Sequence, residues 1–188
     1  HTIGRRQRQM CIRDSFDLCS RQSDNSISVK RKKELTGRSW PNGCHVAEVE
    51  IDAETGEVRL DRYVSVDDVG NTVNPMIVHG QVQGGIASGL GQAVLERTEY
   101  DASGQLLSGS YMDYALPRAD DMPSLSGSLF EKAPCLTNPL GAKGTGEIGA
   151  VAGPPAIVHA VIDALAEKGI TQVDMPLQPQ KIWECLNR

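Results

Sequence analysis

No two of the five cysteines (Cys11, Cys19, Cys44, Cys135, Cys185) stand at C-x-x-C spacing. Neither a cysteine-ligated zinc site nor an iron–sulfur cluster is therefore indicated. An odd number of cysteines without a disulfide framework fits a reducing compartment, so the expected location is cytoplasmic. No apolar run reaches the ~18 residues of a membrane-spanning helix, and no secretory signal is visible. Positive charge is not in excess either. The formal net charge is −5, which does not suggest nucleic-acid binding. A hydrophobic share of 39% with 23% charged residues fits a globular chain of one domain or two small ones better than a disordered one. The first residue is His1, not Met, so a longer parent protein is expected.

The basic residues that are present sit mostly at one end. Arg5, Arg6, Arg8, Arg13, Arg21, Lys30, Arg31, Lys32, Lys33 and Arg38 make up ten of the 19. The apolar residues among them follow neither helical nor strand period. Residues 1–39 therefore read as a disordered or non-native leader, with a nucleic-acid or membrane-surface arm as the other reading. Arg6 to Ser15 also resembles a translated sequencing-adapter tail.

From Trp40 the pattern changes, and residues 40–188 read as the folded part. Pro41-Asn42-Gly43 is turn chemistry. Ala47, Val49 and Ile51 then alternate with Glu48, Glu50 and Asp52, the period of a half-buried strand. Ala53-Glu54-Thr55-Gly56 closes a hairpin, and its return strand is expected to put Val58, Leu60, Val64 and Val66 on one face, interrupted by Arg62. Asp67 and Asp68 follow. Neighbouring side chains in an extended chain point opposite ways, so this pair is expected to serve turns or caps rather than to converge on a metal or substrate. Asn74-Pro75 favours a turn.

Residues 76–97 show helical spacing in Val82, Ile86 and Leu90, despite five glycines. Each glycine costs about 1 kcal/mol against alanine inside a helix, so close backbone approach must offset them. Gln81, Gly85, Ser88 and Gln92 share one small, polar face. Gln81 could offer its amide to a heteroaromatic ligand or lie on the surface. A second hairpin-like pattern spans Glu99 to Tyr111, and a weaker strand pattern spans Ser124 to Lys132. Near the end, Pro155 suits a first helical position and Gly169 the residue after the last turn. Ile157, Val158, Val161, Ile162 and Leu165 form the apolar stripe between them. His159 and Asp163 read as a surface pair. Ile170 to Met175 reads as a strand and Gln180 to Leu186 as a short helix. The fold class is thus α+β, with β-hairpins packed against two main helices.

Between these elements lies Asn138-Pro139-Leu140-Gly141-Ala142-Lys143-Gly144-Thr145-Gly146-Glu147-Ile148-Gly149. So many glycines let the backbone approach a ligand closely. Gly144 to Gly149 matches the dinucleotide pattern G-x-G-x-x-G, so a nucleotide-binding module is one reading. It requires a strand just before the loop and a helix opening within it. Pro134, Asn138 and Pro139 argue against the strand, and Gly153-Pro154-Pro155 is expected to delay the helix. The other readings are a general base, Glu147, beside a reactive centre, and a tight turn with a solvated glutamate.

Several stretches of the chain resemble the molybdenum-binding large subunit of the xanthine oxidase family, nearest the aerobic carbon monoxide dehydrogenase type. They are Pro41-Asn42-Gly43-Cys44-His45, Asp68-Val69-Gly70-Asn71 with Asn74-Pro75, His79-Gly80-Gln81-Val82-Gln83-Gly84-Gly85, Met112-Asp113-Tyr114-Ala115-Leu116-Pro117-Arg118, Asn138-Pro139-Leu140-Gly141 and Lys143-Gly144-Thr145-Gly146-Glu147. They occur in family order over roughly four fifths of the chain. The resemblance implies the C-terminal part of a larger molybdopterin-binding domain, in a subunit that oxidises a small substrate such as carbon monoxide, an aldehyde or an N-heterocycle. It implies a molybdenum–molybdopterin cofactor, in its cytosine dinucleotide form, with the metal held by the pterin dithiolene and by no protein side chain. Glu147 takes the position of the family's general base and Gln81 that of its cofactor-contacting glutamine. Lys143, Gly144, Thr145 and Gly146 would pack near the cofactor. Iron–sulfur and FAD centres would lie on partner subunits, in a dimer of heterotrimers. A non-catalytic scaffold paralogue of the same fold is the alternative.

Overall fold

The computed structural model describes residue 32 and residues 37–187. Most of the basic leader therefore lies outside the described residues. The expected hairpin is present. Strand β1 (Asn42–Ile51) pairs antiparallel with β2 (Val58–Asp68), and β3 (Leu125–Leu129) adds to the far side of β2 in parallel, giving the order β1-β2-β3. The Asp52 carboxylate holds the connecting turn by accepting the Glu54 amide at 2.8 Å. Gly56 there has φ 75°, and a Cβ would lie 2.1 Å from the Pro179 carbonyl oxygen, so only glycine fits beneath the last helix.

One strand face differs from expectation. Glu48 pairs with Arg62 but Val49 pairs with Leu60, which leaves Asp61 as the extra residue of a β-bulge. A bulge of one residue exchanges the faces of everything beyond it. Val58 and Leu60 face the core as expected. Past the bulge the core face passes to Tyr63, Ser65 and Asp67, while Val64 and Val66 turn outward at 38% and 41% exposure. Arg62, the odd charge in the anticipated apolar row, stands next to the slip.

Helix α1 (Pro75–Leu90) starts at Asn74-Pro75, which is a helix cap rather than a free turn. Asn74 Oδ1 accepts the Ile77 amide at 3.3 Å, and Pro75 occupies a first-turn position where its missing N–H costs nothing. The helix continues as a π-turn over Gly91–Leu95. Helix α2 (Ile148–Ala164) begins seven residues before Pro155 and carries Pro154 and Pro155 inside it. The expected delay of its start is therefore wrong. The prolines remove N–H donors from the helix interior, but the same stretch is where the two main helices meet. A Cβ on Gly85 would lie 2.8 Å from Gly149 Cα, and one on Gly89 would lie 2.9 Å from Pro154 Cδ. These glycines are thus explained by close helix packing. Gly80 and Gly84 have nothing within 4 Å of a Cβ position, and that account does not extend to them.

The core is built by Val58, Leu60 and Tyr63 of β2, Val82, Ile86 and Leu90 of α1, and Ile157, Val161 and Leu165 of α2. Gly169 ends the α2 region with φ 73°, after a single 3₁₀ turn over Ala166–Lys168. The segment 170–178 is irregular rather than a strand. Its Val173 and Leu177 are nonetheless buried, and Leu177 N–H donates to the Ala93 carbonyl at 2.7 Å. Helix α3 (Pro179–Leu186) closes the chain with Ile182 in the core. In the Glu99–Tyr111 region one bridge, Tyr100 to Leu106, replaces a full hairpin ladder. His159 and Asp163 are both exposed.

Candidate functional site

The glycine-rich loop is fastened to the end of β2 before it becomes free. Asn71 N–H and Cys135 N–H both donate to the Gly141 carbonyl, at 2.9 and 2.8 Å. Gly141 has φ 67°, and Gly70 opposite has φ 66° with no room for a Cβ, which would fall 2.1 Å from the Gly141 oxygen. Lys143 N–H donates to the Val69 carbonyl at 2.7 Å, and its ammonium reaches Asp68 Oδ2 at 2.5 Å. Burial acts to raise the Asp68 pKa. The Lys143 ammonium and the Gly70 amide, which Asp68 also accepts, outweigh it and hold the carboxyl below its usual range. Asp68 thus serves a turn, as expected, and an ion pair besides.

Beyond Lys143 the loop opens. A Cβ on Gly144 would meet nothing within 4 Å, and one on Gly146 would meet only Gln81 Oε1, at 3.8 Å. Thr145 Oγ1 is buried without a hydrogen-bond partner. Buried hydroxyls are normally satisfied, so this oxygen fits a group bound against the loop. Glu147 occupies the N-cap position of α2, makes no capping bond with its side chain, and is exposed. Residues 144–147 form one wall of a cleft of about 470 Å³, continued by Ile148, Val151 and Ala152. Ser39 to Gly43 and His45 form the facing wall.

Of the anticipated site residues, Gly144, Thr145, Gly146 and Glu147 therefore meet in one cleft. Gln81 lies beside Gly146 but is not among the residues that line the cleft. Lys143 is turned away, to Asp68. The residues before the loop are irregular apart from a single bridge, Gly70 to Ala142. The strand that a dinucleotide site requires is absent there, so that reading fails, although α2 does open within the glycine run. Among the described residues no group of three His, Cys, Asp or Glu side chains could hold a metal ion.

A polar network that the sequence did not reveal lies under the cleft. His45 is opposite Ser65 in the sheet register, and Asp67 is two residues further along the same face. His45 Nε2–H donates to Asp67 Oδ1 at 2.8 Å, and Ser65 Oγ–H donates to Asp67 Oδ2 at 2.9 Å. Asp67 is thus a buried acceptor in the sheet, not the turn or cap expected of it. The Tyr63 hydroxyl is 2.9 Å from His45 Nδ1. Burial, followed by the Asp67 charge, pushes the Tyr63 phenol far above its ordinary value. The phenol therefore keeps its proton and donates it to Nδ1. The side chains of His45 and Asp67 are only 3% and 1% exposed. The alternating polar residues of β2 were the available signal, hidden by the bulge.

An α+β fold with an open glycine loop beside a helix N-terminus defines a cofactor-binding class, and the comparisons specify it. A family model described as "Molybdopterin cofactor-binding domain" matches residues 9–123, starting inside the basic leader. The carbon monoxide dehydrogenase large chain of Hydrogenophaga pseudoflava is 37% identical over 148 residues, 79% of this chain and 18% of that protein. The nicotine 6-hydroxylase large subunit of Paenarthrobacter nicotinovorans is 38% identical over 143 residues, 76% of this chain and 17% of that protein. The crystal structure of quinoline 2-oxidoreductase from Pseudomonas putida 86 superposes with a TM-score of 0.73 at 40% identity, covering 79% of this chain and 19% of that one. A Cu,Mo-CO dehydrogenase structure gives 0.74 at 34% identity, covering 77% and 18%. The chain belongs to the molybdopterin cofactor-binding domain family, and its α+β fold is that of the matched part of the carbon monoxide dehydrogenase chain. It spans under a fifth of the length of these relatives.

Proposed function

We propose that this chain is the C-terminal region of the molybdopterin-binding subunit of a molybdenum-dependent hydroxylase or dehydrogenase. Glu147 is its general base. The observation that carries this reading is the cleft itself. Gly144 and Gly146 leave clearance, Thr145 Oγ1 is buried without a partner, and Glu147 stands in the same wall. The relatives' names support it, since they include a carbon monoxide dehydrogenase, a nicotine hydroxylase and a quinoline oxidoreductase.

The residues fit a pterin-bound metal that needs no protein ligand. Gly144 to Gly146 would leave it room, Thr145 would offer its hydroxyl, and Gln81, beside Gly146, would offer its amide. Lys143 acts one step back, fixing the loop through Asp68. When bound, the molybdenum–pterin group, here in the cytosine dinucleotide form, supplies the two-electron redox chemistry. Glu147 accepts the proton released when the oxygen nucleophile attacks the substrate carbon. An iron–sulfur subunit and a FAD subunit carry the electrons away, in a cytoplasmic dimer of heterotrimers. No helix among the described residues is long and apolar enough to cross a membrane.

Gly144→Val in the full-length parent tests the cofactor site. No atom of this chain lies within 4 Å of a Cβ there, so thermal stability should stay within about 0.5 kcal/mol. Molybdenum content should fall at least tenfold. Unchanged molybdenum content would contradict the placement of the loop against the cofactor.

A further inference from the structure

The residues lining the cleft differ in exposure with depth. Trp40 and Val151 are at the rim, 68% and 71% exposed. His45 lines the same cleft with a side chain 3% exposed, which places it at the floor. Its two ring nitrogens are both taken from behind, Nδ1 by Tyr63 and Nε2 by Asp67. Asp67 has its second oxygen bonded to Ser65, so the carboxylate cannot turn away without leaving a buried hydroxyl unpaired. The Tyr63 ring meets the imidazole edge-on, with centroids 5.7 Å apart and planes at 78°. The imidazole is therefore held in place and has no free nitrogen to give to a ligand. What it presents to the cleft is ring carbon and volume.

We propose that His45 sets the depth of the cleft and thereby the size of the substrate that reaches Glu147. It is a specificity-determining floor and takes no part in proton transfer. This rests on the reading of the cleft as the reaction site. The selection is by size, since the imidazole has no free nitrogen to offer a ligand. Hydrophobic pockets discriminate steric increments of this kind by roughly 10- to 200-fold.

The test uses the cofactor-loaded full-length protein and two neutral probes, pyridine and quinoline, with Kd measured by titration calorimetry at pH 7.5. The double variant His45→Ala, Asp67→Asn removes the ring and the buried charge together. It should lower the quinoline-to-pyridine Kd ratio at least tenfold. Asp67→Asn alone keeps the ring and should leave the ratio within twofold. Should that double variant not fold, His45→Phe with Asp67→Asn makes the cleft shallower, again without a stranded charge, and should raise the ratio at least tenfold. An unchanged ratio in a folded His45 variant would overturn the proposal. So would an equal shift in Asp67→Asn alone, or failure of the unmodified protein to bind either probe. Binding here is measured without turnover, so a wrong assignment of Glu147 as base would show in rates and leave these ratios intact.

Discussion

Before the bulge at Asp61, β2 turns Val58 and Leu60 into the core; beyond it, the same face carries Tyr63, Ser65 and Asp67. One half of the strand gives Val58 and Leu60 to the apolar core that α1, α2 and α3 also build. The other half hydrogen-bonds His45 beneath the cleft. A single inserted residue thus divides a strand into a part that stabilises the fold and a part that shapes the site. The two parts should respond differently to substitution.

The largest effect should come from the polar half. Asp67→Ala leaves the imidazole N–H and the Ser65 hydroxyl buried without a partner, each costing roughly 1–3 kcal/mol, and should cost about 4 kcal/mol in all, read as a fall in thermal unfolding temperature. It should also lower molybdenum content in the parent, because the His45 wall loses its anchor. Leu60→Ala in the apolar half should cost about 3 kcal/mol through the cavity it leaves. Molybdenum content per folded protein should then be unaffected. Loss of cofactor in both variants alike would erase the distinction. Val64→Thr gives the smallest effect. Its side chain faces outward past the bulge, so stability should change by no more than about 0.5 kcal/mol. A cost near that of Leu60→Ala would mean that the bulge is wrong and the unbroken alternation right.

Much of the scaffold could be read directly from the sequence. The alternation from Ala47 to Ile51, the turn at Gly56, the stripe from Ile157 to Leu165 and the stop at Gly169 are local signals, and each corresponds to the element expected. What escaped depends on contacts distant in sequence. The bulge left only the mark of Arg62. The start of α2 was misjudged because Gly153, Pro154 and Pro155 read locally as helix breakers. Gly153 and Pro154 are buried, and this part of α2 packs where Gly85 and Gly89 let α1 approach. The apolar residues at 170–175 suggested a strand, yet only Val173 among them is buried, and none has a ladder partner. At the site, the openness of Gly144 to Gly146 followed from composition. Lys143 looked like a ligand contact because its partner, Asp68, lies 75 residues away. His45 and Asp67 are 22 residues apart and become neighbours only once the strand register is known.

In the function proposed, Glu147 works as a base at the wall of the cleft without being needed to build it. Its side chain is exposed and makes no capping bond, so Glu147→Gln should leave the cleft intact. The direct measurement is turnover and molybdenum content determined together on the Glu147→Gln form of the full-length parent. Turnover should fall by at least about 100-fold, while molybdenum per subunit stays near that of the unmodified protein. Full turnover with full molybdenum content would contradict the account.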